Sequence, residues 1–355
     1  VADPAGFSPE LLKNRIAKVS GALDRIALGK RRVQSVLDRH IVAHRRTLEQ
    51  KISEQGPKDQ RIDPHLLGFA ITDLVAQNRL IVHHHMAAAK TDWYANPLAQ
   101  QAVINTRLDV LAPLHAEATS KPLTNLVGEA LELVVFKALK AKAAASPRYS
   151  YQGHFDLAAP KDDFGHYKKV KPLKYIHGNV TKKDPDFLQF GHDTGPLCIE
   201  CKNYREWFYP HWDGIKTLII RAAELEAVPV LIARRLHYSM IRNFLEPAGI
   251  IAHETYNQYY PGSHAALAEQ VRDRDKLGFT DVLATEEPEH RVSHFIDTTL
   301  PNITDYMGAR WRANKDALVA YARDEIVLAQ LYNAINSPAA GNWHDPEPEE
   351  ENPGY

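Results

Sequence analysis

Apolar positions recur at helical spacing through the first third of the chain and gather into short continuous runs in its middle. Residues 8–54 read as charged and mostly helical, as in SPELLKNRIAKVSGALDRIALGKRRVQSVLDRHIV, with Ser8-Pro9 as a cap and first-turn pair. The polar stretch EQGPKDQ breaks this pattern, and Asp63-Pro64 opens a further helix over HLLGFAITDLVAQN. RLIVHHH and TDWYAN follow as two strand-like runs joined by a loop of small residues. A helix is expected between Pro97 and Ala118, broken at Pro113. TNLVGEALELVVFKAL places Val127, Leu131, Val134, Val135 and Ala138 on one apolar stripe, with Thr124 or Asn125 as N-cap. Next come DPDFLQF and PLCIECK, two apolar runs on either side of GHDTG, whose Gly191 and Gly195 mark a turn. A helix over WDGIKTLIIRAAELEA, a strand over VPVLIARR and a helix over ANKDALVAYARDEIVLAQLYNAI complete the series, and no internal repeat is present. This order predicts an α/β protein, with a mixed central sheet flanked by helices behind a mainly helical N-terminal domain.

The hairpin carries the chemistry. Pro185-Asp186 is followed after thirteen residues by Glu200-Cys201-Lys202. Strand alternation points Glu200 and Lys202 to the same face, and the hairpin brings Asp186 beside them. Two carboxylates and an ammonium on one face are costly in a purely structural protein. They suit phosphodiester hydrolysis, which needs a hard cation held by oxygen ligands and a positive group at the developing charge. The pattern resembles the PD-(D/E)XK nuclease superfamily over roughly residues 123–235. The resemblance implies a restriction-endonuclease-like core, with Asp186 and Glu200 as ligands of Mg²⁺ (Mn²⁺ substituting) and Lys202 as the transition-state cation. The superfamily core opens with a helix bearing a further acid. Glu132 lies at the rim of the apolar stripe and Glu129 lies opposite it, so Glu132 is the expected additional ligand.

Competing assignments exist. Asp156, in YSYQGHFDL, also sits on a strand-like run, but it serves only if residues 158–183 are an insertion, and short connections dominate hairpins. Glu-x-Lys on a strand is more often a solvated ion pair. Here the apolar Leu197, Cys198 and Ile199 before it argue for a central strand. Cys198 and Cys201, the only cysteines, have C-x-x-C spacing. On a strand they face opposite sides, and no second pair completes a zinc site, so they read as small buried hydrophobes.

Charge adds a partner. The chain of 355 residues carries a net charge of -1, yet residues 1–61 hold thirteen Lys/Arg against seven Asp/Glu, and residues 161–183 hold seven lysines against two aspartates. The lysine-rich excursion, with Phe164, Tyr167 and Tyr175, suits phosphate contact and base stacking, a solvated loop being the plainer alternative. Lys168, Lys169, Lys171, Arg234 and Arg235 are the expected nucleic-acid contacts. Helices followed by a ribbon resemble a winged helix, which places His83, His84, His85, Lys90 and Trp93 on or near the wing. The expected layout is a helical, winged-helix-like domain over 1–112, the nuclease domain over 113–337 and an acidic, proline-rich tail over 338–355 that is disordered. No apolar stretch is long enough to span a membrane, and no signal-peptide region opens the chain, so a cytoplasmic location is expected. The function these features imply is a metal-dependent endonuclease on double-stranded DNA in a restriction or defence setting. A repair or junction-resolving nuclease and a catalytically silent nucleic-acid-binding protein of the same fold are the alternatives. A double-strand cut often needs two active sites, which brings a homodimer into consideration.

Overall fold

The computed structural model describes residues 21–55, 61–85, 91–176 and 178–336. The Ser8-Pro9 cap, most of the EQGPKDQ break, Lys90 and the acidic tail lie outside the described residues. The protein is mixed α/β with a mixed central sheet. It divides into two units, one of Val1–Leu126 with Tyr260–Ala284, the other of Val127–Tyr259 with Thr285–Tyr355.

In the first unit, helix α1 (Ala22–His40) ends where Ile41 takes φ 68° and ψ -49°, a positive φ rare for a β-branched residue. This kink turns the chain into strand β1 (Val42–His44), so the helical run expected over 8–54 is interrupted by a strand. Helix α2 (Arg45–Glu49) follows, capped by the His44 ring, and continues as a π turn over Gln50–Glu54. Helix α3 (Pro64–Ala76) begins at the Asp63-Pro64 pair, where the Asp63 carboxylate accepts from the His65 N–H. Strands β2 (Ile81–His85) and β3 (Thr91–Ala95) pair antiparallel, and β1 adds to β3, giving the order β1-β3-β2. Val33, Leu37, Leu48, Leu67, Ile71 and Leu74 close the core. A Cβ on Gly29 would lie 3.2 Å from that of Ala70, which shows how closely α1 crosses α3. Helix α4 (Gln101–Ala118) runs unbroken through Pro113. Pro113 is exposed, so the carbonyl it leaves without a helical donor faces water.

The second unit begins within helix α5 (Lys121–Ala145), which starts three residues before the expected cap. Thr124 is already inside the first turn, and its N–H donates to the Ser120 carbonyl. Strand β4 (Ser150–Gln152) enters the main sheet, then Gly153 releases the chain into β5 (His154–Asp156). β5 pairs with β6 (Lys168–Val170), and a small hairpin of β7 (Tyr175–Ile176) and β8 (Asn179–Val180) follows. The excursion expected at 158–183 therefore starts earlier, at β5, and carries two ribbons, β5–β6 and β7–β8. The chain rejoins the sheet as β9 (Phe187–Phe190) and β10 (Leu197–Lys202), an antiparallel hairpin turning at Gly191 and Gly195 with φ 102° and 106°. A Cβ on Gly191 would lie 2.2 Å from the Arg148 carbonyl oxygen, so no larger residue fits there. Helix α6 (Asp213–Glu224) crosses over to β11 (Val228–Ala233), parallel to β10, and β12 (Ile251–Glu254) extends the parallel part. The sheet order is β12-β11-β10-β9-β4, and every residue of β11 is buried, as expected of a central strand. The late helix expected over 313–335 is two helices. α7 (Leu300–Ala322) packs on α6, and a second runs over Leu328–Ile335 after a turn in which Asp324 has φ 61°.

Candidate functional site

The hairpin register decides the geometry. Phe187 pairs with Ile199, so the next step along the ladder sets Asp186 opposite Glu200. Asp186 is fixed further by the Cys201 N–H, which donates to its Oδ2 at 2.8 Å. Gly153 allows this approach, since a Cβ there would stand 2.6 Å from the Asp186 carbonyl oxygen. Glu200 is buried, and its two oxygens are held by Lys202 and by Arg221 of α6, itself buried. Lys202 packs its Cε 3.8 Å from where a Gly214 Cβ would stand, at the first turn of α6.

Glu132 projects from α5 into the same cluster, where Lys169 of β6 pairs with it and stands 3.4 Å from Asp186 Oδ1. Glu129 is turned elsewhere. Its Oε1 accepts the Tyr167 N–H at 2.8 Å, and its Oε2 meets His166 Nδ1 at 2.5 Å. Asp156 is spent on a turn, accepting from the N–H groups of Ala158 and Ala159. The cluster thus joins three carboxylates, Glu132, Asp186 and Glu200, to three cations, Lys169, Lys202 and Arg221.

Electrostatics follow from burial. Burial and then the Asp186 charge push the Glu132 carboxyl up to about 7, against the pull of Lys169. The same two causes raise Glu200 against Lys202 and Arg221. Burial alone would lower Lys202, but Glu200 and Asp186 outweigh it and raise its affinity for a proton, and Lys169 is raised in the same way by Asp186 and Glu132. Cys198 and Cys201 are free and buried, and burial pushes both thiols up, away from thiolate chemistry.

The other expected contacts separate. Lys168 is exposed on β6, and Lys171 pairs with Asp184 at 3.0 Å. Lys169 lies in the carboxylate cluster and not on an outer phosphate-facing surface. Arg234 is 1% exposed and donates through Nε to the Tyr204 carbonyl at 3.1 Å, so it braces backbone where a phosphate contact was expected. Arg235 lies over the Tyr256 ring at 4.2 Å. Trp93 is core, in edge contact with His44 and His115. His84 meets Asp92 across the β2–β3 ribbon at 3.0 Å.

Arg221 was missed in the sequence. Its signal is an arginine set among Leu218, Ile219 and Ala222 on the buried face of α6, a position that demands a buried acid. The donor set of carboxylate oxygens suits a hard divalent cation. Among the described residues, however, no group of three His, Cys, Asp or Glu side chains is arranged to hold a metal ion. The carboxylates are instead closed onto the lysines and the arginine. No helix among the described residues is long and apolar enough to cross a membrane. Comparison with protein-family models, with curated proteins and with solved structures finds no match for this chain.

Proposed function

We propose that the protein is a metal-dependent endonuclease of the PD-(D/E)XK type, hydrolysing phosphodiester bonds in DNA, in a restriction or defence setting. One observation carries this. Asp186 and Glu200 face each other across the β9–β10 hairpin with Lys202 beside them, and Glu132 of α5 reaches the same point. The order of elements supports it: α5, then β4, β9 and β10 as an antiparallel meander, then α6 and the parallel β11. A helix followed by a mixed sheet in this order supports the reading of a restriction-endonuclease-like core. In the first unit, helix, strand, two helices and a two-stranded ribbon, with sheet order β1-β3-β2, support a winged-helix domain.

Asp186, Glu200 and Glu132 would hold Mg²⁺ or Mn²⁺. When bound, the ion supplies charge against the phosphate and acidifies water. Lys202 would turn from Glu200 to meet the charge developing on the phosphate, and Lys169 would release Glu132 while staying beside Asp186 to offset the remaining carboxylate charge. Arg221 stays on Glu200 and keeps it aimed along the strand. The exposed Lys168 and the ribbon around it offer phosphate contacts outside the cluster.

A binding-only protein of the same fold is the second reading, and one observation favours it: every carboxylate of the cluster already has a cation. Incubation of plasmid and single-stranded DNA with Mg²⁺, Mn²⁺ or EDTA separates the two. Cutting that requires the metal and is lost in Asp186→Asn supports the nuclease. DNA binding without cutting under any metal supports the second reading.

A further inference from the structure

The segment after Lys202, Asn203-Tyr204-Arg205-Glu206-Trp207-Phe208-Tyr209-Pro210-His211-Trp212, is dense in aromatic rings and has no role in the carboxylate cluster. It is rigidly held. At its root Asn203 is buried, donating to the carbonyls of Val127 and Tyr259 and accepting the Tyr259 N–H. Arg234, buried at the end of β11, donates to the carbonyls of Tyr204 and Arg205. Phe208 is 2% exposed and anchors the middle, stacking against Tyr204 at 6.3 Å and tilting on Trp212 at 5.2 Å. Trp207 rests edge-on against His237 at 5.8 Å.

Of the Tyr, Trp and Phe residues in this segment, Tyr204 is the exposed one. Tyr204 is 45% exposed and stands two residues beyond Lys202, just past the end of β10. An exposed aromatic face on a fixed backbone next to a cluster that takes a phosphate suits a flat, weakly polar partner joined to that phosphate. A nucleobase is such a partner, and its face is free only where the strand is unpaired. Within an intact duplex both faces are covered by neighbouring bases.

We infer that Tyr204, on its braced aromatic loop, stacks on an unpaired base beside the scissile phosphate, so that the protein takes single-stranded or flapped DNA at its site. The inference rests on the nuclease assignment for the phosphate, but its test reads binding separately. Fluorescence anisotropy in EDTA, where metal-dependent cutting is blocked, compares a labelled single-stranded DNA oligonucleotide, its duplex and an RNA of the same sequence. Tyr204→Ala is expected to weaken single-stranded DNA binding about tenfold, the effect of one stacked base, while Tyr204→Phe retains it and duplex affinity is unchanged. Equal single-stranded affinity for wild type and Tyr204→Ala, an equal loss for Tyr204→Phe, or an equal loss on duplex overturns the inference. Tighter Tyr204-dependent binding of the RNA overturns its assignment to DNA. If the wild type cuts DNA with Mn²⁺ and Tyr204→Ala binds and cuts identically, this inference fails and the nuclease stands. If Tyr204-dependent binding is present and no DNA is cut, the nuclease fails and the stacking platform stands.

Discussion

At the residue scale, the cluster of Glu132, Asp186 and Glu200 with their three cations gives the sharpest expectations. Asp186→Asn keeps the shape and removes the charge, and should lower cleavage about a thousandfold, about 4 kcal/mol of barrier, in a plasmid-nicking assay. Lys202→Ala should abolish cutting with little loss of DNA affinity, because its charge matters where the phosphate charge develops. A gel-shift affinity that falls in step with activity would count against that role. Glu132→Gln should impair cleavage and Glu129→Gln should not, since Glu129 is turned to His166 and the Tyr167 N–H. Arg221→Ala leaves a Glu200 oxygen buried without its guanidinium, and should cost about 3 kcal/mol of stability in urea unfolding.

At the element scale, local signals set the elements that local physics can specify. The β9–β10 hairpin was legible because its two glycines and apolar runs lie within a few residues of one another, and Asp186 and Glu200 came with it. Helix α5 was legible from its stripe, and the rim position of Glu132 followed from the helical period. The strand β1 was not legible, because it depends on Ile41 holding a positive φ that its own side chain disfavours. Pro113 misleads in the opposite sense. The helix α4 tolerates it because the freed carbonyl is solvated. Pro113→Ala should therefore restore one helical hydrogen bond and raise the melting temperature, with a gain of up to about 3 kcal/mol. A lower melting temperature in that variant would show that the proline has a packing role.

At the scale of the whole molecule, buried histidines tie stability to pH. His44 is buried against Trp93 and His115, and burial, then the His115 charge, hold it down at about 2. His253, stacked on Phe295 at 4.1 Å, is held down by burial at about 3. Both are neutral in the fold and titrate near 6.5 once unfolded, so between those values the unfolded chain binds more protons. Their stabilisation is complete above about 6.5 and is lost as pH falls toward 3, at up to about 1.4 kcal/mol per pH unit for each ring. Urea midpoints across that range should fall with acid, and His44→Asn, which retains a cap acceptor for the Arg46 N–H, should flatten the slope.

What the chain makes legible in its own order of residues is whatever neighbours can settle: the Asp63-Pro64 helix start, the alternation that puts Glu200 and Lys202 on one face, the stripe of α5, and the α/β class. What required the folded molecule is whatever depends on groups far apart in the chain. Lys169 reads as one lysine among seven in a solvated excursion, and only the folding back of β6 sets it between Glu132 and Asp186. Arg221 becomes a partner of Glu200 only when α6 packs on β10. Arg234 looks like a surface cation at a strand end, yet the sheet buries it and its guanidinium must satisfy itself on the carbonyls of Tyr204 and Arg205. Periodicity and capping act over a turn or a strand. A buried charge is placed by whichever opposite charge or carbonyl the packing brings within reach, and no local pattern specifies that.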